Sequence, residues 1–183
     1  MKCYFFCFLC IMKYLLNSHL ELNRIKIFAS ILKINSSDLN NHFKGWSIAQ
    51  HLYHCWLVEE LTENYIRKKI LNPKSINNVS VITYIRSFLL QLFFKLGYKV
   101  KAPKPTAIFP NTIDINQLNL DWENSRKSLD NLIIILHEMK LEKKGFFNHP
   151  AIGRLNLWLV LNFLEFHLVH HIKQIDKLIT KIN

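Results

Sequence analysis

The chain has 183 residues, half of them hydrophobic, with only four glycines and five prolines. This apolar content is enough for a buried core and excludes disorder of the whole chain, and the scarcity of glycine and proline argues against a turn-rich all-β fold. The 24 Lys and Arg residues against 13 Asp and Glu residues give a net charge of +11, but they are scattered along the chain, which indicates a basic surface rather than a nucleic-acid interface.

The first 14 residues form an apolar segment that begins MKCYFFCFLC. Lys13 interrupts this run early, so the apolar stretch is far shorter than the roughly 20 residues that a membrane-spanning helix needs. We interpret residues 1–14 as a mis-called start, with Met12 as the alternative first residue, or as a weak anchor. Residues 15–183 are predicted to form a single domain, and a membrane is not expected as its partner.

The four cysteines do not have the spacing of a disulfide framework, because three of them fall within the first ten residues. This usage favours a reducing environment, so we expect a cytoplasmic protein. The fourth, Cys55, is predicted to be a small residue of the core, since free cysteine is usually buried.

Five helices are predicted from the hydrophobic period and the positions of helix-ending residues. Ser47 with Gln50, and Asp114 with Gln117, have the spacing of capping boxes. The connection KVKAPKPTAIFPN contains three prolines and is therefore predicted to be extended. The predicted helices are Ile11–Ile34, Ser47–Leu71, Ser80–Leu96, Asp114–Lys143 and Gly153–Ile182. With no alternating strand pattern, the prediction is an all-α fold: an up-down four-helix bundle with an additional helix and one long crossover connection.

The last predicted helix contains EFHLVHHIKQI, in which three histidines fall within five positions. At about 100° per residue, His167 and His171 lie on the apolar face that is expected to point into the bundle. His170 lies about 60° from that face and is predicted to be nearer the rim.

The second predicted helix carries a further histidine on its inward face. His54 points inward together with Tyr65, while His51 lies about 60° away at the edge of that face. Glu59 and Glu63 fall on the opposite, polar side. Three histidines from two helices are therefore predicted to face one interior.

Inward-facing histidines need partners, because an unsatisfied buried polar group costs about 1–3 kcal/mol. A divalent metal ion would satisfy them, since each neutral imidazole offers a lone pair. His167 and His171 are one helical turn apart, and His54 would complete a three-histidine set with an open position, which is typical of catalytic metal sites. The alternative is that all three are packing residues, and the spacing alone leaves both interpretations open.

Two motifs together resemble the DinB-like (damage-inducible, YfiT-type) metal-binding superfamily. The first is a Trp-Ser pair followed by a histidine seven residues after the serine, here Trp46, Ser47 and His54. The second is H-x-x-H-H-x-x-Q on the last helix, matched by His167, His170, His171 and Gln174. The preceding HPAIGRL is also similar to the HPxFGxL stretch of one branch, with Ile152 in place of the aromatic residue.

The resemblance implies a four-helix bundle with an appended helix and one divalent metal ion held by His54, His167 and His171. The identity of the metal, whether zinc, nickel or iron, does not follow. His51 and His170 are then expected at the rim, beside the ligands or at the surface, rather than as ligands. The implied activity is that of a metal-dependent transferase that uses a low-molecular-weight thiol, or of a hydrolase that uses a metal hydroxide. A small-molecule substrate and a homodimer are also implied.

Two other functions are compatible with the residues. The first is a metal-containing helical binding or stress-response protein without catalysis. The second, suggested only by the basic charge and by the damage-inducible label of the family, is a protein associated with nucleic acid, whose binding would depend on salt. Nucleic acid is not expected as the main partner, because the basic residues do not form one patch.

Overall fold

The computed structural model describes residues 18–42, 45–98 and 102–182. Helix α1 covers 18–31 within these ranges. It is followed by α2 (Ser36–Asn40), α3 (Ile48–Ile70), α4 (Val81–Lys95), α5 (Ile115–Glu138) and α6 (Leu157–Ile182). The predicted all-α class is confirmed. The interpretation of residues 1–14 lies outside the described residues.

Four of these helices form a ring of contacts around the core. In α1, Arg24 bonds Asn119 of α5, and His19 lies 3.5 Å from Glu165 of α6. Helix α3 packs against both α5 and α6, which closes the ring, while α4 packs on the outer side against α6. This is the predicted four-helix bundle with an additional helix. None of the helices in the described residues is long and apolar enough to span a bilayer.

The directions of the helices follow from the pairing of their side chains. His51 pairs with His171, and His54 pairs with His167, so α3 and α6 run antiparallel. Helices α3 and α5 run in the same direction, since Trp56 bonds Ser125 and, further along both helices, Arg67 bonds Ser128. The long crossover connection, which includes α4, makes this parallel pair possible.

The two helix starts that were predicted from capping boxes, at Ser47 and Asp114, are both observed. Ser47 Oγ accepts the N–H of Gln50, and the Gln50 side chain accepts the N–H of Ser47, which is a complete capping box. Asp114 accepts the N–H of Gln117 at the start of α5. Here the box is half formed, because the Gln117 amide donates to Asp121 instead. The cap at Ser47 fixes where α3 begins, and therefore which of its residues face α6.

Three predicted boundaries are wrong. Helix α1 ends at residue 31 rather than at Ile34. Helix α5 ends at Glu138 rather than Lys143, because Lys140 adopts a left-handed backbone conformation with φ of 55°. Helix α6 begins at Leu157 rather than Gly153, because Asn156 Oδ1 accepts the N–H of Leu159 and caps the helix there.

The chain between the end of α5 and the start of α6 forms three short strands that the sequence pattern did not predict, and one of them pairs with a strand that precedes α4. Strand β1 (Asn77–Asn78) pairs antiparallel with β2 (Lys144–Gly145), and β3 (Phe147–His149) pairs antiparallel with β4 (Gly153–Leu155). Gly153 has φ of +101°, a conformation that favours glycine at the start of β4. The β3–β4 hairpin places His149 beside α6, where its ring contacts Phe163 at 4.5 Å.

The prediction of a polar side on α3, opposite His54, is also wrong in part. Glu59 and Glu63 are buried, because α5 covers this side of the helix. Glu59 pairs with Arg126 at 2.9 Å and accepts the indole N–H of Trp122. Cys55 is buried as predicted. The apolar core between the helices includes Leu20, Leu52, Leu132, Leu136, Leu164 and Leu168.

Candidate metal centre

The structure brings together the three histidines that were predicted to hold a metal. One ring nitrogen from each of His54, His167 and His171 lies within 4.8 Å of the other two. The His54 and His167 Nε2 atoms are 3.1 Å apart. The three side chains are only 3, 7 and 7% exposed, respectively. The cluster therefore lies inside the bundle, at the contact between α3 and α6.

The position of one proton in this cluster follows from a backbone contact. His54 Nδ1 lies 2.7 Å from the carbonyl oxygen of Thr106, which can only accept a hydrogen bond. His54 Nδ1 therefore carries the proton, and the Nε2 atom of the neutral ring presents its lone pair to His167. A backbone carbonyl that holds one ring nitrogen and leaves the other for a cation is the usual arrangement of metal-binding histidines.

His51 joins the cluster as a fourth histidine. Its Nδ1 lies 2.9 Å from Nδ1 of His171, and both rings are buried. Since Nδ1 of His171 is engaged with His51, Nε2 is the nitrogen left to face the cluster. His51 was expected beside the ligands or at the surface, and the structure places it beside the predicted ligand His171 and buries it. Trp46, in the connection before α3, covers that side of the helix.

Burial keeps these rings neutral. It lowers the pKa of His54, against which the hydrogen bond to Thr106 acts. It lowers the pKa of His167 and His171 much further, and neighbouring histidines add to the effect, since two adjacent rings cannot easily both be charged. A neutral imidazole is the form that binds a metal ion, so these residues are ready to act as ligands near neutral pH.

Aromatic rings surround the cluster. Trp46 contacts His54 at 4.9 Å and stacks on His171 at 6.1 Å with an interplanar angle of 10°. On the other side, Phe163 stacks on His167 at 5.5 Å. These apolar walls exclude water from the rings and explain why burial is the largest cause of their lowered pKa values.

The proline-rich connection before α5 covers the site. Its short 3-10 helix, Lys104–Thr106, supplies the carbonyl that holds His54. Phe109 then packs edge-on against Trp46 at 5.0 Å. This connection was predicted only to be extended, and the structure shows that it carries part of the wall of the cluster.

A cleft of about 220 Å³ lies between α4 and α6, and none of the three clustered histidines lines it. His170 borders this cleft and stacks on Phe94 at 4.4 Å. The prediction that His170 lies at the rim is wrong in terms of exposure, since only 8% of it is exposed. Lys95, Lys173 and Glu165 also line the cleft.

The geometry of the cluster fits a divalent metal ion. Two imidazole nitrogens bound to one tetrahedral ion at the usual distances are about 3.3 Å apart, compared with 3.1 Å between His54 and His167 and at most 4.8 Å within the set of three. Within 18–42, 45–98 and 102–182, this is the one set of three or more histidine, cysteine or acidic side chains arranged closely enough for shared coordination. Tyr65, predicted to share the face of His54, packs on Phe147 further along α3.

The fold and the site together describe a helical-bundle protein with a candidate metal centre in its core, formed by three buried histidines on two facing helices. The sequence profile of the DinB superfamily matches residues 38–175, which is more than half of the chain. The protein therefore belongs to the DinB superfamily, as the two motifs indicated.

Comparison with solved structures supports the same fold. YfiT from Bacillus subtilis, described as a probable metal-dependent hydrolase with an unusual four-helix bundle topology, is similar with a TM-score of 0.55. The two share 17% sequence identity over 93% of this chain and 87% of YfiT. Among curated proteins, no match to the chain was found.

Proposed function

We propose that this protein is a metal-dependent enzyme that acts on a small molecule, with one divalent ion held by His54, His167 and His171. The observation that carries the proposal is the meeting of three buried, neutral imidazoles whose ring nitrogens lie within 4.8 Å of one another. A set of three neutral ligands leaves the full charge of the ion uncompensated and leaves room for an exogenous ligand.

A divalent ion held by His54, His167 and His171 would lower the pKa of a bound thiol or water and so would supply a nucleophile at neutral pH. Residues around the three histidines orient them and shield them from water. The carbonyl of Thr106 orients His54, and Trp46 and Phe163 exclude water from the rings. In this low-dielectric setting an anionic ligand is favoured over a neutral one, since the protein ligands are uncharged.

Transfer of a low-molecular-weight thiol to an electrophilic substrate is the leading reaction. A thiol has an ordinary pKa of about 8.5, so it loses its proton near neutral pH after a much smaller shift than water needs. The cleft beside His170, which is lined by Lys95, Lys173 and Glu165, is the place we propose for the rest of the thiol or for the substrate.

Hydrolysis is the second candidate, favoured by the similarity in fold to a protein described as a probable metal-dependent hydrolase. It uses the same three histidines and the same cation, with water in place of the thiol. The two reactions differ in the nucleophile and are separated by whether thiol is consumed.

The experiment is a parallel screen of protein loaded separately with zinc, nickel or iron. One arm measures loss of free thiol with a panel of small thiols and an alkylating electrophile, and the other measures hydrolysis of small esters and amides without thiol. We expect turnover with wild type and none with His54→Ala. Metal binding without turnover in either arm would favour the non-catalytic binding or stress-response protein instead.

A further inference from the structure

His51 and His171 form a hydrogen bond between their rings, and the direction of this bond matters for the candidate metal centre. Their Nδ1 atoms are 2.9 Å apart, so one proton lies between them and one ring must donate while the other accepts. Both side chains are less than 9% exposed, so water does not readily substitute for either partner.

The direction of this hydrogen bond decides whether His171 can bind a cation. If His51 donates, neutral His171 carries its own proton on Nε2, which then faces the cluster and has no lone pair to offer. If His171 donates from Nδ1, its Nε2 presents a lone pair to the cluster. Only the second arrangement is compatible with a ligand role for His171.

We propose that His51 is a positioning residue that accepts the Nδ1–H of His171 and thereby fixes the tautomer and ring orientation in which Nε2 binds the metal. This rests on the proposed metal site. His51 does for His171 what the Thr106 carbonyl does for His54, with an imidazole nitrogen as the acceptor instead of a backbone oxygen.

The local structure holds His51 in place for this role. The capping box at Ser47 starts α3, and the N–H of His51 donates to the carbonyl of Ser47 at 3.1 Å, in the first turn of the helix. Trp46, the residue before the cap, contacts the ring of His51 at 5.4 Å and stacks on that of His171. One tryptophan therefore packs against both members of the pair.

The first test measures the affinity of the full-length protein for zinc by competition with a chromophoric chelator. His51→Phe keeps a ring but removes the acceptor, and we expect it to weaken zinc binding about 10- to 100-fold, as loss of an outer partner of a ligand usually does. His51→Asn, whose Oδ1 can occupy the place of Nδ1, should restore most of the affinity. His51→Leu replaces the Phe variant if that variant does not fold. His137→Phe, on α5, controls for the loss of any one histidine.

The second readout is the tautomer of His171 in metal-free protein, determined by long-range 1H–15N NMR. We expect the Nδ1–H form in wild type and in His51→Asn, and a shift toward the Nε2–H form in His51→Phe. A merely structural role for His51 would not change this tautomer.

The possible results separate the two proposals. Weaker zinc binding by His51→Phe together with the tautomer change supports the positioning role. If wild type binds zinc and His51→Phe binds it equally well, the role of His51 is refuted while the metal site stands. If wild type itself does not bind zinc, nickel or iron, the proposed metal site fails, and the positioning role fails with it.

Discussion

At the scale of single residues, His149 illustrates how local backbone contacts and burial set the state of an imidazole. Its Nδ1 accepts the N–H groups of Ala151 and Ile152, so the proton of the neutral ring is on Nε2. Burial beside Phe163 lowers the pKa of His149 from 6.5 to about 4. The ring is therefore neutral in the folded protein at pH values where it is charged in the unfolded chain.

This difference makes stability depend on pH. Between pH 6.5 and about 4, the unfolded chain binds more protons at this position, so the free energy of unfolding falls as the pH drops through that window. His149→Asn cannot titrate, and its Oδ1 can accept the same two N–H groups. We expect the variant to lose about 1–2 kcal/mol less stability than wild type between roughly pH 7 and pH 5. Urea unfolding of metal-free protein at both pH values measures this, and equal losses would contradict the assigned pKa.

The burial of the histidines was only partly predictable from their positions on the helices. Helical geometry selected His54, His167 and His171 correctly as inward-facing, because they lie at the centre of their apolar faces. It underestimated the burial of His51 and His170, about 60° from those centres, since the stripe that a bundle helix buries is at least 100° wide. Here Trp46 and Phe94 widen it further by packing over the flanks. Such contacts come from distant parts of the chain and leave no periodic signal.

At the scale of elements, a buried ion pair joins α3 to α5. Burial raises the pKa of Glu59, and the Arg126 guanidinium opposes that shift, which indicates that the carboxylate needs its partner to stay charged. The Nε and Nη1 atoms of Arg126 have no hydrogen-bond partner within the described part of the chain. Glu59 is therefore the main compensation for a buried positive charge.

We predict that Glu59→Gln destabilises the fold by about 3 kcal/mol, because it keeps an acceptor for Trp122 but leaves Arg126 with only the longer contact to Glu21, at 3.9 Å, as a counter-charge. The double variant Glu59→Gln/Arg126→Met should recover most of this loss. Unfolding in urea at neutral pH measures both. The matched control is Glu123→Gln, which breaks an exposed ion pair between Glu123 and Lys127, both on α5. This variant should have little effect on stability. An equal effect of the two single variants would contradict the account.

Element boundaries were predictable where a side chain marks them. Ser47 and Asp114 cap their helices with short polar side chains, and both starts were predicted within one residue. The end of α5 depends on a left-handed Lys140, a conformation for which lysine has no special preference. The start of α6 depends on an asparagine cap at Asn156. The prediction placed the start at Gly153 because it took the residues from Gly153 onward as one continuous apolar helix.

At the scale of the whole molecule, α4 presents an unusual surface. Its buried side includes the small residues Thr83 and Ser87, whereas large apolar side chains are 42–76% exposed on the rest of the helix. These are Val81, Ile82, Tyr84, Ile85, Phe88, Leu89, Leu92 and Phe93. An apolar surface of this kind marks an interaction site in most proteins.

The homodimer implied by the resemblance remains a prediction, and the exposed side of α4 is where we expect the second copy to bind. Phe88→Lys, at the centre of this surface, should then convert a dimer to a monomer without loss of helicity. Sedimentation velocity over a range of protein concentrations measures this change. Leu71→Lys, at another highly exposed apolar position, is the control. A wild-type chain that sediments as a monomer throughout would contradict the prediction.

The central claim for the molecule is that its bundle brings distant histidines together to hold a metal ion. The most direct measurement is the metal content of untagged wild type and of His167→Ala/His171→Ala, determined by elemental mass spectrometry after incubation with zinc, nickel or iron and removal of excess. The account predicts about one equivalent of one of these metals in wild type and almost none in the variant. No bound metal in wild type, or equal amounts in both proteins, would contradict it and leave the three histidines as packing residues.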